Sequence, residues 1–311
     1  MTSQRVEDLE HKTLTIKGKT DGFGAQYNAI LSGFAFCDNR EDFTYIHTPF
    51  YSISHGWGWI SATEPESSWK KRTDVLNEFI GIPDGRSSMN GKRVDIRIRK
   101  GVGSVFRDKR PSNWYTESTR QKIRDHYWST SKPPSCEQDI VVHIRRGDVQ
   151  PERRDRNSRW TGNEWYRDRI PWVASKYPDN YTIAVHSEGE MSEFESIMDG
   201  WPDDLRDRTT WKLGKNWEVD VEHDLMTAFH EMVTAKVLLQ SRSSFAFVPG
   251  ILSKGDVWHM PSKRDGASMG IWNPLDDWHI IQHSRSKLPD GMKYGELCKL
   301  IEDYRASQNK K

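Results

Sequence analysis

VVHIRRGDV, Val141–Val149, decides how this chain reads. An apolar strand, DIVVHI (139–144), runs straight into two adjacent arginines, a glycine and an aspartate. In an open parallel sheet, ligands sit outside the carboxyl ends of the strands. His143, Arg145, Arg146 and Asp148 fall there. Alternation along a strand sends His143 and Arg145 to one side and Arg146 to the other. A guanidinium fork matches two phosphate oxygens at once, which an ammonium does not. A glycine, Gly147, next to the pair allows close approach. Two readings stand on these residues: a diphosphate clamp, and a structural cluster of ion pairs. The tripeptide Arg146-Gly147-Asp148 also resembles an adhesion signal, but such a signal needs an exposed loop tip and this one follows a buried strand.

Outward from that stretch the pattern alternates. YTIAVHS (181–187), TTWKL (209–213), KVLLQ (236–240) and GDVWHM (255–260) read as further strands. Between them, 162–177 (interrupted by Pro171), 189–200 and 221–235 read as helices, the last with Leu225, Met226, Phe229, Met232 and Val233 at helical spacing. Alternating strands and helices imply parallel strands joined by right-handed crossovers, hence a Rossmann-like sheet. STSKPPSC (129–136) is the linker candidate, because its prolines break helix and strand alike. Before it, DGFGAQYNAILSGFAFC places a glycine turn ahead of a helical face of Tyr27, Ile30, Leu31 and Phe34, and FTYIHT (43–48) follows as a strand. This is the opening of a second α/β domain. The Trp-rich stretch from about 50 to 128 gives no clear pattern. The expected division is residues 1–135, an N-terminal α/β domain, and 136–311, a C-terminal Rossmann-like domain.

The chain has 311 residues, with 46 basic and 45 acidic side chains and a net charge of +1, so no general attraction to nucleic acid is expected. Its three cysteines, Cys37, Cys136 and Cys298, form no disulfide framework or CxxC pair. No apolar run reaches the roughly 18 residues of a membrane span, and the polar N-terminus lacks an apolar leader core. The expectation is a soluble cytoplasmic protein with no membrane insertion.

Two further stretches could meet a phosphate. Gly22 and Gly24 precede a helix, where a tight turn lets backbone approach an anion at the helix N-terminus. A P-loop ending at Gly18-Lys19-Thr20 is rejected, since position 13 is Thr. In LLQSRSSFAFVPG (238–250), Ser241, Ser243 and Ser244 lie between a strand and a helix. They suit an N-cap, and the same N–H groups and hydroxyls suit phosphate. Metal sites are poor. His230-Glu231 begins an HExxH pattern, but position 234 is Thr, and Asp203-Asp204 and Asp276-Asp277 read as solvated loops. No GxSxG supports a serine hydrolase.

In order along the chain, GFGAQYNAIL, HIRRGDV and DLMTAFHEMVTAKVLLQSRSSFAFVPGILS resemble the motifs of the fucosyltransferase superfamily with GT-B fold. That superfamily includes α1,2- and α1,6-fucosyltransferases, bacterial chitooligosaccharide fucosyltransferases and protein O-fucosyltransferases. The resemblance implies two Rossmann-like domains facing a cleft, the first on the acceptor side and the second binding a nucleotide sugar. It implies an inverting, metal-independent glycosyltransferase with no cofactor, moving L-fucose from GDP-fucose to a glycan hydroxyl. Arg145 would clamp the β-phosphate, with His143 and Arg146 shaping the site. Ser243 and Ser244 would touch the diphosphate, Asp224 or Glu222 would help hold the nucleotide, and the Gly22–Gly24 loop would close over the donor. The proton acceptor is sought among Asp148, Glu152, Asp155 and Asp21, with Glu152 chosen. The Trp-rich stretch departs from the pattern, and so do the basic residues after the central motif. Another donor, such as a UDP-pentose for a xylosyltransferase, and a non-catalytic glycan-binding role on this scaffold therefore stay open. Trp57, Trp59, Trp69, Trp114 and Trp128 could stack on acceptor sugars, though core packing accounts for most such residues.

Overall fold

The structure is a computed structural model describing residues 12–17, 21–50, 53, 66–85, 96–98, 101–147, 149, 160–214, 221–260, 273–281 and 291–308. The chain divides into two compact units, Met1–Phe106 with Trp114–Ser129, and Arg107–Asn113 with Thr130–Lys311.

The first unit is built from β1 (Lys12–Ile16), α1 (Phe23–Asp38), β2 (Phe43–Tyr45), α2 (Glu66–Ile80), β3 (Ile96–Ile98), α3 (Gly103–Arg107) and α4 (Glu117–Trp128). Its strands are parallel in the order β2-β1-β3. α1 buries Tyr27, Ile30, Leu31 and Ala35, as expected of a helix that is apolar nearly all round. Gly33 lets it press on the sheet, because a Cβ there would come within 2.9 Å of Ile16 and 3.0 Å of the Tyr45 ring. In the stretch without a legible pattern, α2 docks Leu76, Phe79 and Ile80 in the core. Thr116 caps α4 by accepting the Thr119 N–H.

The second unit holds β4 (Ile140–His143), α5 (Asn163–Ala174), β5 (Ile183–Glu188), α6 (Asp203–Asp207), β6 (Thr209–Gly214), α7 (Val221–Thr234), β7 (Val237–Gln240), α8 (Ser244–Leu252), β8 (Asp256–His259), β9 (His279–Ile280) and α9 (Tyr294–Gln308). All its strands are parallel, in the order β6-β5-β4-β7-β8-β9. Counted from β4, that is the 3-2-1-4-5-6 order of a doubly wound Rossmann sheet. One face packs Ile140, Val142, Ile144, Ile183, Val185 and Leu239 against Tyr166, Ile170 and Phe194. The other packs Val141, Ala184 and Leu238 against Met232, Ala235 and Ala246.

Three expectations change. Residues 189–200 form two 3-10 turns, Met191–Glu193 and Glu195–Ile197, bracketed by the positive-φ glycines Gly189 and Gly200, which end a regular helix before it starts. Asp203 and Asp204 open α6 and favour its N-terminal dipole, rather than lying in a loop. Asp276 pairs with Arg110 at 2.6 Å. That pair shows why Arg107–Asn113 joins the second unit: the Tyr294 hydroxyl also donates to the Lys109 carbonyl (2.7 Å), and Asn273 donates to the Asp108 carbonyl (2.5 Å). Among the described residues no helix is long and apolar enough to cross a membrane.

Candidate anion site at the sheet switch point

The strand order of the second unit reverses between β4 and β7, since the chain builds outward from β4 in both directions. A crevice opens at such a point beyond the carboxyl ends of the two strands. β4 ends at His143 and leads to Arg145 and Arg146; β7 ends at Gln240 and leads to Ser241, Ser243 and Ser244. The central and third sequence stretches therefore meet at one place.

Ser243 has extended backbone, φ −141°, and its hydroxyl accepts the Phe245 N–H, so it is the N-cap of α8. Ser244 opens the helix and is buried, as are Ser241 and Ser243. Pro249 sits inside α8, which stays helical around it. The helix thus presents its N-terminal N–H groups and hydroxyls beside the end of β4.

Adjacent arginines have different fates, as alternation requires. Arg146 turns to the α5 face and is buried: it donates to Asn163 Oδ1 (2.6 Å) and to the Arg145 carbonyl (3.0 Å), and its guanidinium lies 3.9 Å over the Trp160 ring. Burial lowers its pKa from the ordinary arginine value. Arg145 keeps 17% side-chain exposure, and its Nη1 lies 4.0 Å from Glu188 at the end of β5. Gly147 has φ +73°, and a Cβ there would overlap the Glu188 carboxylate. A side chain at 147 is therefore strained by the backbone and must displace the Glu188 carboxylate.

His143 lies on the opposite face. Its Nδ1 is 2.7 Å from the Ser241 hydroxyl, and Phe245 flanks its ring. Burial, followed by the neighbouring Arg145 and His186, pushes its pKa from 6.5 down to about 3. It is a neutral imidazole at physiological pH. Next to it on β5, His186 donates through Nε2 to Glu231 Oε2 (2.7 Å), and Lys212 Nζ reaches both Glu231 oxygens (2.7 and 2.9 Å). Burial acts to raise the Glu231 pKa, but the bonds from His186 and Lys212 outweigh it and hold the carboxyl below its usual range.

In the first unit, Gly22 caps α1 with an ordinary φ of −61°. Asp21 Oδ1 accepts the Gly22 N–H (2.9 Å), and Gln26 Nε2 donates to the Asp21 carbonyl (2.7 Å), so Gln26 ties the glycine turn to the helix. Gly24 is buried in the first turn. Asp148, Glu152 and Asp155 lie outside the described residues. Glu222 and Asp224 lie in the first turn of α7, and their side chains are likewise outside the description. Trp57 and Trp59 lie outside it too, as does the side chain of Trp69 in α2. Trp114 stacks on Phe36, and Trp128 is 49% exposed. Among the described residues no group of three or more His, Cys, Asp or Glu is placed to hold a metal. Sequence reading passed over His186, Lys212 and Glu188, and met Glu231 only in an incomplete HExxH pattern. The available signal was His186, at the end of its strand as His143 is at the end of its own.

No family model and no curated protein matches the chain. Among solved structures, E. coli heptosyltransferase WaaC with ADP aligns over 94% of this chain and 99% of its own, at 11% identity and a TM-score of 0.40. E. coli ADP-heptose lipopolysaccharide heptosyltransferase II aligns over 96% and 100%, at 12% identity and a TM-score of 0.39. A mutant of Arabidopsis thaliana FUT1 in complex with GDP aligns over 93% and 81%, also at 12% and 0.39. Likenesses this loose assign no residue and no activity.

Proposed function

We propose that the chain is a glycosyltransferase that takes its sugar from a nucleoside diphosphate held at the ends of β4 and β7. One observation carries the reading: Arg145, the neutral His143–Ser241 pair and the N-terminus of α8 with Ser243 and Ser244 converge where the strand order reverses. Each offers hydrogen-bond donors or positive potential to an anion, and together they suit two linked phosphates. Arg145 binds the β-phosphate and stabilises the charge that develops on it as the glycosidic bond breaks. Arg146, stacked and bonded in the core, holds the loop that carries Arg145. Two α/β units with parallel sheets are the components of a GT-B arrangement, in keeping with the motif resemblance.

The finer reading is transfer of L-fucose from GDP-fucose to a glycan hydroxyl with inversion, without a metal, and with a carboxylate that follows the central motif, Asp148 or Glu152, taking the acceptor proton. The test is diphosphate release from GDP-fucose, ADP-heptose and a UDP-pentose in the presence of a glycan panel, beside calorimetric binding of GDP, ADP and UDP. Release from GDP-fucose supports the finer reading, and release from another donor corrects the sugar. Binding without turnover on any donor makes the protein a glycan- or nucleotide-binding relic. Absence of nucleotide binding overturns the site.

A further inference from the structure

Lys212 on β6, His186 on β5 and His143 on β4 stand in one row across three adjacent strands. His186 is in register with Lys212, and His143 with His186. The row faces α7, on the side where Val141, Ala184 and Leu238 pack with Met232 and Ala235. That is a core face, and His143, His186 and Glu231 on it are 6%, 6% and 7% exposed. Buried polar groups are costly unless fully bonded, and an apolar row would close the same space at less cost. This one is tied by short bonds. Lys212 and His186 converge on Glu231 of α7, and at the other end His143 bonds Ser241, two residues before the N-cap of α8. The Ser243 N–H in turn donates to the Ser241 carbonyl (2.8 Å), so Ser241 fixes the cap itself.

We infer that Lys212, Glu231 and His186 form a positioning relay that holds the His143 imidazole against Ser241 and so presets the N-terminus of α8 for the anion. This rests on the reading of the β4–β7 crevice as a diphosphate site. Glu231 accepts from Nε2 of His186, which fixes the tilt of that ring. His143 is its in-register neighbour on the same face, packed beside Phe245 with Nδ1 at the serine. A ring held there needs no reorientation when phosphate arrives, which lowers the ordering cost of binding. None of the three relay residues needs to touch the ligand.

Charge separates this role from a plain electrostatic one. Glu231 is an anion close to a site for anions, so if the row only contributed charge, Glu231→Gln would tighten phosphate binding. A positioning role predicts the opposite sign. The experiment measures GDP, ADP and UDP affinity by calorimetry for the wild type, and then the best of the three for Glu231→Gln, Ser241→Ala and the double variant, with melting temperature recorded for each. The expected result is an affinity about 5- to 10-fold weaker for Glu231→Gln, with little further loss when Ser241→Ala is added, since both act through one bond. Lys212 is partly exposed, at 32%, so its ammonium can turn to water when the carboxylate is replaced and the fold is kept. Should Glu231→Gln fail to fold, Lys212→Met, which leaves Glu231 bonded to His186, reads the relay from its outer end, with the same non-additivity expected against Ser241→Ala. Unchanged or tighter binding in the folded relay variant, or losses that simply add, overturns the relay while leaving the anion site in place. Failure of the wild type to bind any of the three nucleotides overturns the site reading and the relay with it.

Discussion

The two arginines of HIRRGDV should separate under substitution, Arg146→Ala losing stability and Arg145→Ala losing ligand. Arg146 donates to Asn163 Oδ1 at 2.6 Å and to the Arg145 carbonyl at 3.0 Å, and stacks 3.9 Å over Trp160. Bonds from a charged donor contribute about 1.5–3 kcal/mol each and a desolvated cation–π contact about 2 kcal/mol. The cost of burying the guanidinium, several kcal/mol, offsets much of this. Truncation leaves a cavity among Tyr166, Phe194 and Trp160, and an Asn163 oxygen without its donor. The net loss is about 3 kcal/mol. For a unit of this size, each kcal/mol lowers Tm by about 2–4 °C, so Arg146→Ala should melt roughly 6–12 °C below the wild type. Arg145 is different: its ion pair with Glu188 is long, at 4.0 Å, and contributes under about 1 kcal/mol. Arg145→Ala should keep its Tm within a few degrees. It should weaken nucleotide diphosphate binding roughly 10- to 150-fold through loss of a bidentate contact, and Arg145→Lys should not restore it. Differential scanning calorimetry and titration calorimetry on the same preparations read both effects. If Arg145→Ala melts early and Arg146→Ala does not, or if Arg145→Ala binds nucleotide normally, the assignment of one arginine to the core and one to the ligand is wrong.

Gly147→Ala should cost about 1–2 kcal/mol in urea unfolding, because φ is +73° and the new methyl displaces the Glu188 carboxylate; a neutral result would refute the strain argument. If, as proposed, Arg145 and α8 meet the diphosphate charge, turnover should persist in excess EDTA; complete loss that Mn²⁺ restores would require a metal. Stability should fall with acid. His143 is neutral in the fold with a pKa near 3 and takes a proton in the unfolded chain below 6.5, so stability is intact above 6.5 and declines as pH drops toward 3, by up to about 1.4 kcal/mol per pH unit. His230, lowered by burial to about 4, adds to that decline, so His143→Gln should flatten the acid limb only in part; a limb identical to that of the wild type would show His143 to be protonated in the fold.

Much of the second unit was legible because its strands are short apolar runs that cannot be anything else at that length. DIVVHI, YTIAVHS and KVLLQ all became strands, and the helical spacing of Leu225 to Val233 became α7. The 189–200 stretch misled for a local reason. Met191, Phe194 and Ile197 recur every three residues, which fits a 3-10 turn as well as a helix, and Gly189 and Gly200 take left-handed backbone that stops propagation at both ends. In the first unit α1 was legible from its apolar face. α2 was not: its Leu76, Phe79 and Ile80 stand among lysines, arginines and glutamates whose pattern says only that one side is wet.

The candidate site was harder to see, for a reason tied to strand order. Period and length tell which residues form strands, and right-handed crossovers tell that the strands run parallel, but a parallel strand can be added on either edge of a sheet. Whether β7 lies beside β6 or returns to β4 depends on which helical face α7 offers to which side, and that is settled by packing of Met232, Ala235 and Ala246 against Val141, Ala184 and Leu238. Only once β7 lies beside β4 do Arg145 and the Ser243–Ser244 turn become neighbours. The pairing of β4 with β5 and of β5 with β6 turns Lys212, His186 and His143, three unrelated polar residues in the sequence, into one row. It also turns Glu231, which in sequence looked like half of a metal motif, into the carboxylate that ties the row to α7. A lone polar residue at the end of an apolar strand is therefore ambiguous by itself. Two on adjacent strands in register, with a carboxylate from the covering helix bonded to one of them, amount to a buried network that a core built for stability alone would replace with apolar side chains. That conversion of scattered residues into a bonded row is what gives the switch point a chemistry as well as a shape.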